Sequence, residues 1–449
     1  MTNQKFAYNR KGYQIGISSD QMVKLMKKNK VITKLLEVKR KYINNLSPFY
    51  IKNHDGKSFT RKRSLTLSCL LMIILRSSPF ALQIRLDNFY KEIGRKEAVV
   101  TKQAFSKART NLDPEVVKKS FELTAHTLLE CDDLELYKGR YRLCAIDGSD
   151  LALDNAKELL EHFGGSGKNK DCAMAMASLC YDPLNNIIMD GGLYPYGTCE
   201  REAARKHFSA MDALPLPKGV ENLYIHDRGY PSKELFAEMI DGRRFFLMRV
   251  RRKFHKDFDL VSKKEKVDFT HNGKIYTVRV FNITLDSGEK EILVTNLPKK
   301  HLKYKEAAEL YFKRWGIETK FDSLKNKLQL ENFSGRRVVT TFQDFWSKLD
   351  LANTLAALEF ATNDAISDKT ANSGNKYEQT TNENRLITKF ADRYIEVLIT
   401  SDTDERTALF DELINDIARH PTEVKPGRSF ERKPPRKKKF SDRHKNALH

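Results

Sequence analysis

Two isolated aspartates and one dense stretch carry the residue types that could handle phosphate. The stretch from Tyr311 to Lys325 reads YFKRWGIETKFDSLK. At about 100° per residue on a helix, Tyr311, Arg314, Glu318 and Lys325 fall within roughly 60° of one another. Arg and Lys grip phosphate, Tyr adds a hydroxyl and a ring, and Glu is an oxygen ligand for a hard cation. A carboxylate among cations on one face implies a metal site beside bound phosphate. Taken alone, Arg314 and Glu318 are an i, i+4 pair of the kind that laces a solvated helix face for about 0.2–0.5 kcal/mol. What shifts the reading is Asp147 in YRLCAIDGSDLAL and Asp227 in NLYIHDRGY, each at the end of a short apolar run.

The elements around these acids must bring them together. YRLCAID reads as a strand ending at Asp147, with Gly148 and Ser149 releasing the chain into a turn. AMAMASLCYDPLNNIIMDGGLYPYG reads as two strands joined at about Pro183 to Asn186. A helix from about Glu200 to Leu214, a strand ending at Asp227, a helix over Pro231 to Asp241 and a strand in RRFFLMRVRR follow. That order, three strands, helix, strand, helix, strand, is the mixed-sheet order of a ribonuclease H-like core, whose first and fourth strands are neighbours. Asp147 and Asp227 should therefore meet at one sheet edge. A nuclease of this kind needs two divalent ions about 3.5–4 Å apart, one for the attacking and one for the leaving oxygen. Two Asp and a Glu are suitable oxygen ligands for Mg²⁺.

The fold class expected is α/β: a ribonuclease H-like mixed sheet with an antiparallel β insert, flanked by helical N- and C-terminal regions. The boundaries read as a basic helical DNA-binding region over 1–135, the first part of the core over 136–251, the insert over 252–299, the catalytic helix over 300–345, helices over 346–424 and a disordered basic tail over 425–449. The insert alternates and turns at Asn272-Gly273 and Asp286-Ser287-Gly288. Residues 21–63 hold thirteen Lys/Arg against Glu37 and Asp55, interleaved with apolar residues at helical spacing. Three further helices are expected between 64 and 131. In the last, Thr101 caps a helix whose Lys102, Gln103, Ser106 and Lys107 face outward while Phe105 and Ala108 pack inward. Such a helix can enter a major groove. The polar stretch Ser367 to Asn384 reads as a mobile loop.

A net charge of +21 and a pI near 9.5 point to a polyanionic partner, with nucleic acid first. The longest apolar run, Leu65 to Leu75, has eleven residues, against about 20 for a membrane span. It reads as a buried helix, and the chain as a cytosolic protein. Six scattered cysteines without a C-x-x-C support neither a zinc ribbon nor a disulfide framework.

At DGS (147–149), DRGY (227–230) and Tyr311-x2-Arg314-x3-Glu318-x6-Lys325, the sequence resembles the DDE transposases of the insertion sequence 4 family, over about residues 60–350. The resemblance implies a bacterial, nucleoid-associated cut-and-paste transposase that binds double-stranded DNA at terminal inverted repeats, pairs two ends as a homodimer and joins them to target DNA. It implies Asp147, Asp227 and Glu318 as ligands of two Mg²⁺ ions, replaceable by Mn²⁺, with Tyr311, Arg314, Lys325 and Arg228 on phosphates. Relatives use a tryptophan of the insert to hold a flipped base. The insert here has none; Phe269, Tyr276 or Phe281 could stack instead, but strand aromatics of this kind more often pack in a core.

Rival residues are weaker. Asp150 more simply caps a turn and Asp190 is structural. His226 points away from Asp227 by strand alternation and reads as packed. GGSGKNK (164–170) fails the P-loop spacing and reads as a flexible loop, and Trp315 reads as core. Two other functions fit the sequence: a catalytically inactive DNA-binding repressor derived from a transposase, and a plain metal-dependent nuclease.

Overall fold

The computed structural model describes residues 7–8, 14–15, 19–47, 51, 59, 64–76, 80–97, 99–284, 288, 290–370 and 373–425. Most of the expected basic tail, and Asp286 and Ser287 of one expected turn, lie outside the described residues. The described residues divide into two compact units, one of residues 129–349 and one of those up to 128 together with 350–425.

In the latter unit β1 (Ala7–Tyr8) pairs with β2 (Gln14–Ile15), and α1 (Ser19–Asn44) follows. α2 (Leu67–Leu75) is apolar all round, and Cys69 to Leu75 are all buried. Its N-cap Thr66 accepts a hydrogen bond from the Cys69 N–H. Among the described residues no helix is long and apolar enough to cross a membrane. α3 (Leu82–Glu92) and α4 (Lys102–Thr110) come next. Thr101 caps α4 as expected, with Phe105 buried and Lys102, Gln103, Ser106 and Lys107 exposed. A fourth helix not foreseen, α5 (Glu115–Leu129), then begins. The reason is local: Pro114 cannot continue α4, and the Asp113 carboxylate accepts from the Glu115 N–H to start a new helix.

The 129–349 unit is built on one mixed sheet. Its elements are β3 (Tyr141–Ala152), α6 (Lys157–Phe163), β4 (Gly165–Ser166), β5 (Cys172–Asp182), β6 (Ile187–Pro195), α7 (Glu200–Ala213), β7 (Glu221–His226), α8 (Lys233–Asp241), β8 (Phe245–Val250), α9 (Lys256–Leu260), β9 (Lys264–His271), β10 (Lys274–Thr284), β11 (Lys290–Thr295), α10 (Tyr304–Phe312) and α11 (Trp315–Asn326). The nine strands run β4-β5-β3-β7-β8-β11-β10-β9, with β6 also on β5. β3 pairs parallel with β7 and β7 parallel with β8, while the other pairs are antiparallel. Period-two alternation gives the sheet two apolar faces. Tyr141, Leu143, Leu223, Ile225 and Leu247 form one cluster with Ala307, Leu310 and Tyr311. From the other face Tyr224 meets Phe208 of α7 and Phe246 stacks on Phe236 of α8.

Four expectations change. β3 does not end at Asp147, because β5 continues to pair with it as far as Ala152, although β7 stops at Ala145. The insert does not stand apart, because β11 pairs with β8 and extends the sheet. The 164–170 stretch is a tight hairpin on β5 rather than a loose loop, with a Cβ at Gly165 falling 2.3 Å from the Lys170 carbonyl. The Tyr311–Lys325 stretch falls across two helices, not one. Between α10 and α11 the bonds become i to i+3, from Arg314 N to Tyr311 O and from Gly316 N to Lys313 O, a tighter winding. Gly316 sits there because a Cβ would lie 2.9 Å from Pro183 of the β5–β6 turn.

Helix α12 (Val338–Thr370) leads back into the first unit described. There the buried Lys39 ammonium donates to Asp350 at 2.6 Å and Thr354 at 2.8 Å, and the Thr124 hydroxyl donates to the same carboxylate. The polar stretch after α12 holds a short strand, β12 (Glu378–Thr380), before α13 (Glu383–Ile399) and α14 (Thr403–Ile417). It pairs with β13 (Thr422–Val424), which is why a stretch with loop composition is ordered as a strand.

Candidate active site

The alternation that packs Tyr141, Leu143, Leu223 and Ile225 under α10 also aims the two aspartates. Asp147 lies two steps beyond Ala145, and Asp227 two steps beyond Ile225, and that residue pair is the last one shared by β3 and β7. Both carboxylates therefore leave the sheet at one level and on the face that α10 and Tyr311 cover. The Tyr311 hydroxyl donates to Asp227 Oδ1 at 3.2 Å. Arg314 Nη2 donates to Glu318 Oε1 at 2.7 Å, and Nη1 lies 4.0 Å from Asp147 Oδ2. The guanidinium carbon is 5.7 Å from the centre of the Tyr311 ring. Asp147, Asp227 and Glu318 are thus gathered around Arg314 and its neighbour Tyr311.

The electrostatics follow from crowding acids in a partly dry place. Burial pushes the Asp147 carboxyl up to about 7, Gly148 N–H and Arg314 pull it down, and Glu200 and Glu318 push it up. Burial also raises the Tyr311 hydroxyl, against Arg314 and together with Asp227. Glu200, the first residue of α7, was not foreseen as a member. Its carboxyl is raised by partial burial and by Asp150 and Asp227. Gly148 leaves it room, since a Cβ there would crowd Glu200 Oε1 at 3.3 Å, whereas one on Gly229 would sit at an ordinary 3.5 Å from Oε2. The only sequence hint was a glycine directly after Asp147, and it reads more readily as a turn.

The other candidates fall as follows. Lys325 Nζ donates to Ser149 Oγ and to the Asp150 carbonyl, both at 2.7 Å, tying α11 to β3. Lys320 ties the same helix to Asn186 at 2.8 Å. Arg228 and the Asp150 residue are exposed. His226 is fully buried with neither ring nitrogen bonded, and burial holds it down to about 3, so it stays neutral. Asp190 accepts His207 Nδ1 at 2.6 Å, and His207 Nε2 meets Ser178 Oγ at 2.9 Å. That hydroxyl–imidazole–carboxylate row resembles an activated nucleophile, but Ser178 and His207 are completely buried. It instead braces β5 behind Asp147, whose carbonyl accepts Ser178 Oγ at 3.4 Å.

The insert aromatics pack in the core. Phe269, Tyr276 and Phe281 are all buried, Phe269 stacks on Tyr276, and Tyr276 donates to Asp241. Two exposed rings flank the α10–α11 junction: Phe312 is 72% and Trp315 41% exposed, so Trp315 is not core. Among the described residues no three His, Cys, Asp or Glu side chains converge as a cation-holding group. Arg314 stands where their charges meet.

Residues 138–353 match the family described as Transposase DDE domain. No curated protein matches the chain. Among solved structures the chain is similar to the piggyBac transposase synaptic complex with hairpin DNA, at 13% identity and a TM-score of 0.43, over 91% of this chain and 87% of that one. The part of the chain that holds all three gathered acids is, then, similar to a DDE transposase domain.

Proposed function

We infer that the chain is a transposase that cuts and joins double-stranded DNA, and that Asp147, Asp227 and Glu318 are its acidic centre. One observation carries this: three acids far apart in sequence meet around Arg314, inside the segment similar to a transposase DDE domain. The reading takes β6-β5-β3-β7-β8 as a ribonuclease H-like core, supported by the parallel β3–β7 and β7–β8 pairs. The donor set is all oxygen, which suits a hard divalent cation such as Mg²⁺, and burial raises the Asp147 carboxyl to about 7. When bound, such cations supply activation of the attacking oxygen and stabilisation of the leaving one.

The chain's own groups do the rest. Tyr311 orients Asp227 through its hydroxyl. Arg314 neutralises the carboxylates at rest and turns to the phosphodiester when DNA enters, which frees Glu318. Lys325 and Lys320 hold α11 against Ser149 of β3 and Asn186 of the β5–β6 turn. Arg228 and the exposed lysines Lys168 and Lys170 face solvent where a DNA backbone can reach them, and Phe312 and Trp315 offer rings to an unpaired base. The ends bound are inverted repeats paired by two copies of the chain, in the bacterial cytosol.

The test uses purified protein and duplexes cut from the DNA that flanks its coding sequence. Glu318→Ala is expected to abolish Mg²⁺-dependent cleavage while band-shift binding stays within about twofold, since a residue acting only on the transition state leaves ground-state binding intact. Cleavage retained by Glu318→Ala removes Glu318 from the centre. Joined products on a sequencing gel distinguish strand transfer from simple hydrolysis.

A further inference from the structure

Leu247 of β8 packs in the cluster under α10 with Ile225, and the two are partners in the parallel β7–β8 pair. Ile225 is in turn the partner of Ala145 on β3. Two residues beyond Ala145, Ile225 and Leu247 come Asp147, Asp227 and Arg249. By strand alternation all three side chains leave on the α10 face, so the row of acids ends in an arginine. Arg249 Nη1 meets Glu291 Oε1 of β11 at 2.9 Å, with 22% of the arginine side chain exposed. It also lies close enough to Tyr311 to act electrostatically on its hydroxyl, the group that donates to Asp227.

From Arg249 the chain reads RVRRK to Lys253, four cations in five residues with no acid. Val250 is buried, while Arg251, Arg252 and Lys253 are exposed. The turn that carries them is fixed through its backbone, with Phe254 N–H donating to the Arg251 carbonyl at 3.2 Å and Lys253 N–H to Asp259 Oδ2 at 2.8 Å. Among the described residues neither Arg251 nor Arg252 is engaged in an ion pair. Exposed arginines are ordinarily no more than solvated surface. Here β8 runs parallel to β7, so the cluster leaves the sheet at the same end as Asp227, and its first member stands in the row of acids.

We propose that Arg249, Arg251 and Arg252 form a phosphate-binding track that carries the DNA strand away from the acid centre along the end of β8. This rests on the reading of Asp147, Asp227 and Glu318 as the centre of a DNA-cutting enzyme. Arginine suits the task because its planar fork of N–H donors matches the oxygens of a phosphate, and Glu291 fixes the first fork on the side of Tyr311. The track sets the register of the duplex without reading its bases, as phosphate contacts do.

The test measures binding of the flanking duplexes by fluorescence anisotropy between about 50 and 200 mM salt, together with Mg²⁺-dependent cleavage. Wild type is compared with Arg249→Gln, with the double variant Arg251→Gln/Arg252→Gln, and with Lys266→Gln, which alters an exposed lysine of the outermost strand β9. Each phosphate contact contributes about 0.9 to the slope of log affinity against log salt, so Arg249→Gln is expected to lower the slope by about 0.9 and the double variant by about 1.8, while Lys266→Gln keeps the wild-type slope. Arg249→Gln leaves Glu291 buried without its partner, which costs stability; the double variant alters only exposed side chains and covers that case. Neutral methylphosphonates beside the cut are expected to weaken the wild type and to add little in the double variant, because both changes remove the same contacts. Wild-type slopes in both arginine variants, an equal fall in Lys266→Gln, or losses that simply add overturn the track, and cleavage by the wild type then leaves the acid centre standing. No cleavage by the wild type overturns the centre, and the track with it.

Discussion

At Asp147 one side chain answers to two demands, the fold's preference for a neutral group and the site's need for a charge. Its carboxyl is raised from 3.8 to about 7, with burial the main cause. The folded chain therefore holds this proton more tightly than the unfolded chain. That contribution to stability is fully present below about pH 4 and is lost as pH rises towards 7. Without divalent cations, Asp147→Asn is expected to melt higher than wild type at pH 8, by about 2–4 °C for each kcal/mol recovered, and the gain should shrink at pH 5. A thermal melt at both pH values checks it; an equal or lower melting temperature at pH 8 would show that Asp147 carries no such burden. Asp147 and Asp227 were legible in the sequence because each ends an apolar run in phase with the core-facing residues. Glu200 was not, because its place depends on a glycine gap in another strand, and no periodicity links the two.

Among the elements, the α10–α11 junction decides how the helix acids meet the sheet acids. A single helix would also align Tyr311, Arg314 and Glu318, so the spacing revealed the face without revealing the break. Just past the break, Pro183 approaches Gly316 too closely for a side chain to fit without a shift. Gly316→Ala is expected to cost about 1–3 kcal/mol of stability, the usual penalty for overpacking, and to lower cleavage further because α11 carries Glu318. Urea unfolding reads the first effect, and an unchanged midpoint would mean that the hairpin turn yields without cost. The insert shows the same division: alternation revealed its strands, but strand partners depend on the register of distant residues, so the β8–β11 pairing was hidden. The β12–β13 pair was hidden for another reason, since three-residue strands carry too little pattern to detect.

For the whole molecule, charge is the property most directly read from composition. With a net charge of +21, binding to random duplex DNA is expected to weaken about 10³-fold between 50 mM and 200 mM salt, as for a protein that neutralises at least six phosphates. Fluorescence anisotropy with a labelled duplex measures this, and a change of under tenfold would place most of that charge away from the DNA. The widened sheet bears on the molecule's behaviour in another way. If residues 252–299 were trimmed, β8 would become a border strand with bare backbone donors and acceptors beside the buried Phe246 and Met248. Such a border invites pairing with other molecules. In the full chain the outermost strand is β9, whose exposed Glu265, Lys266 and Asp268 discourage that contact. The added strands thus guard against aggregation, and a shortened protein would be expected to precipitate before its chemistry could be judged.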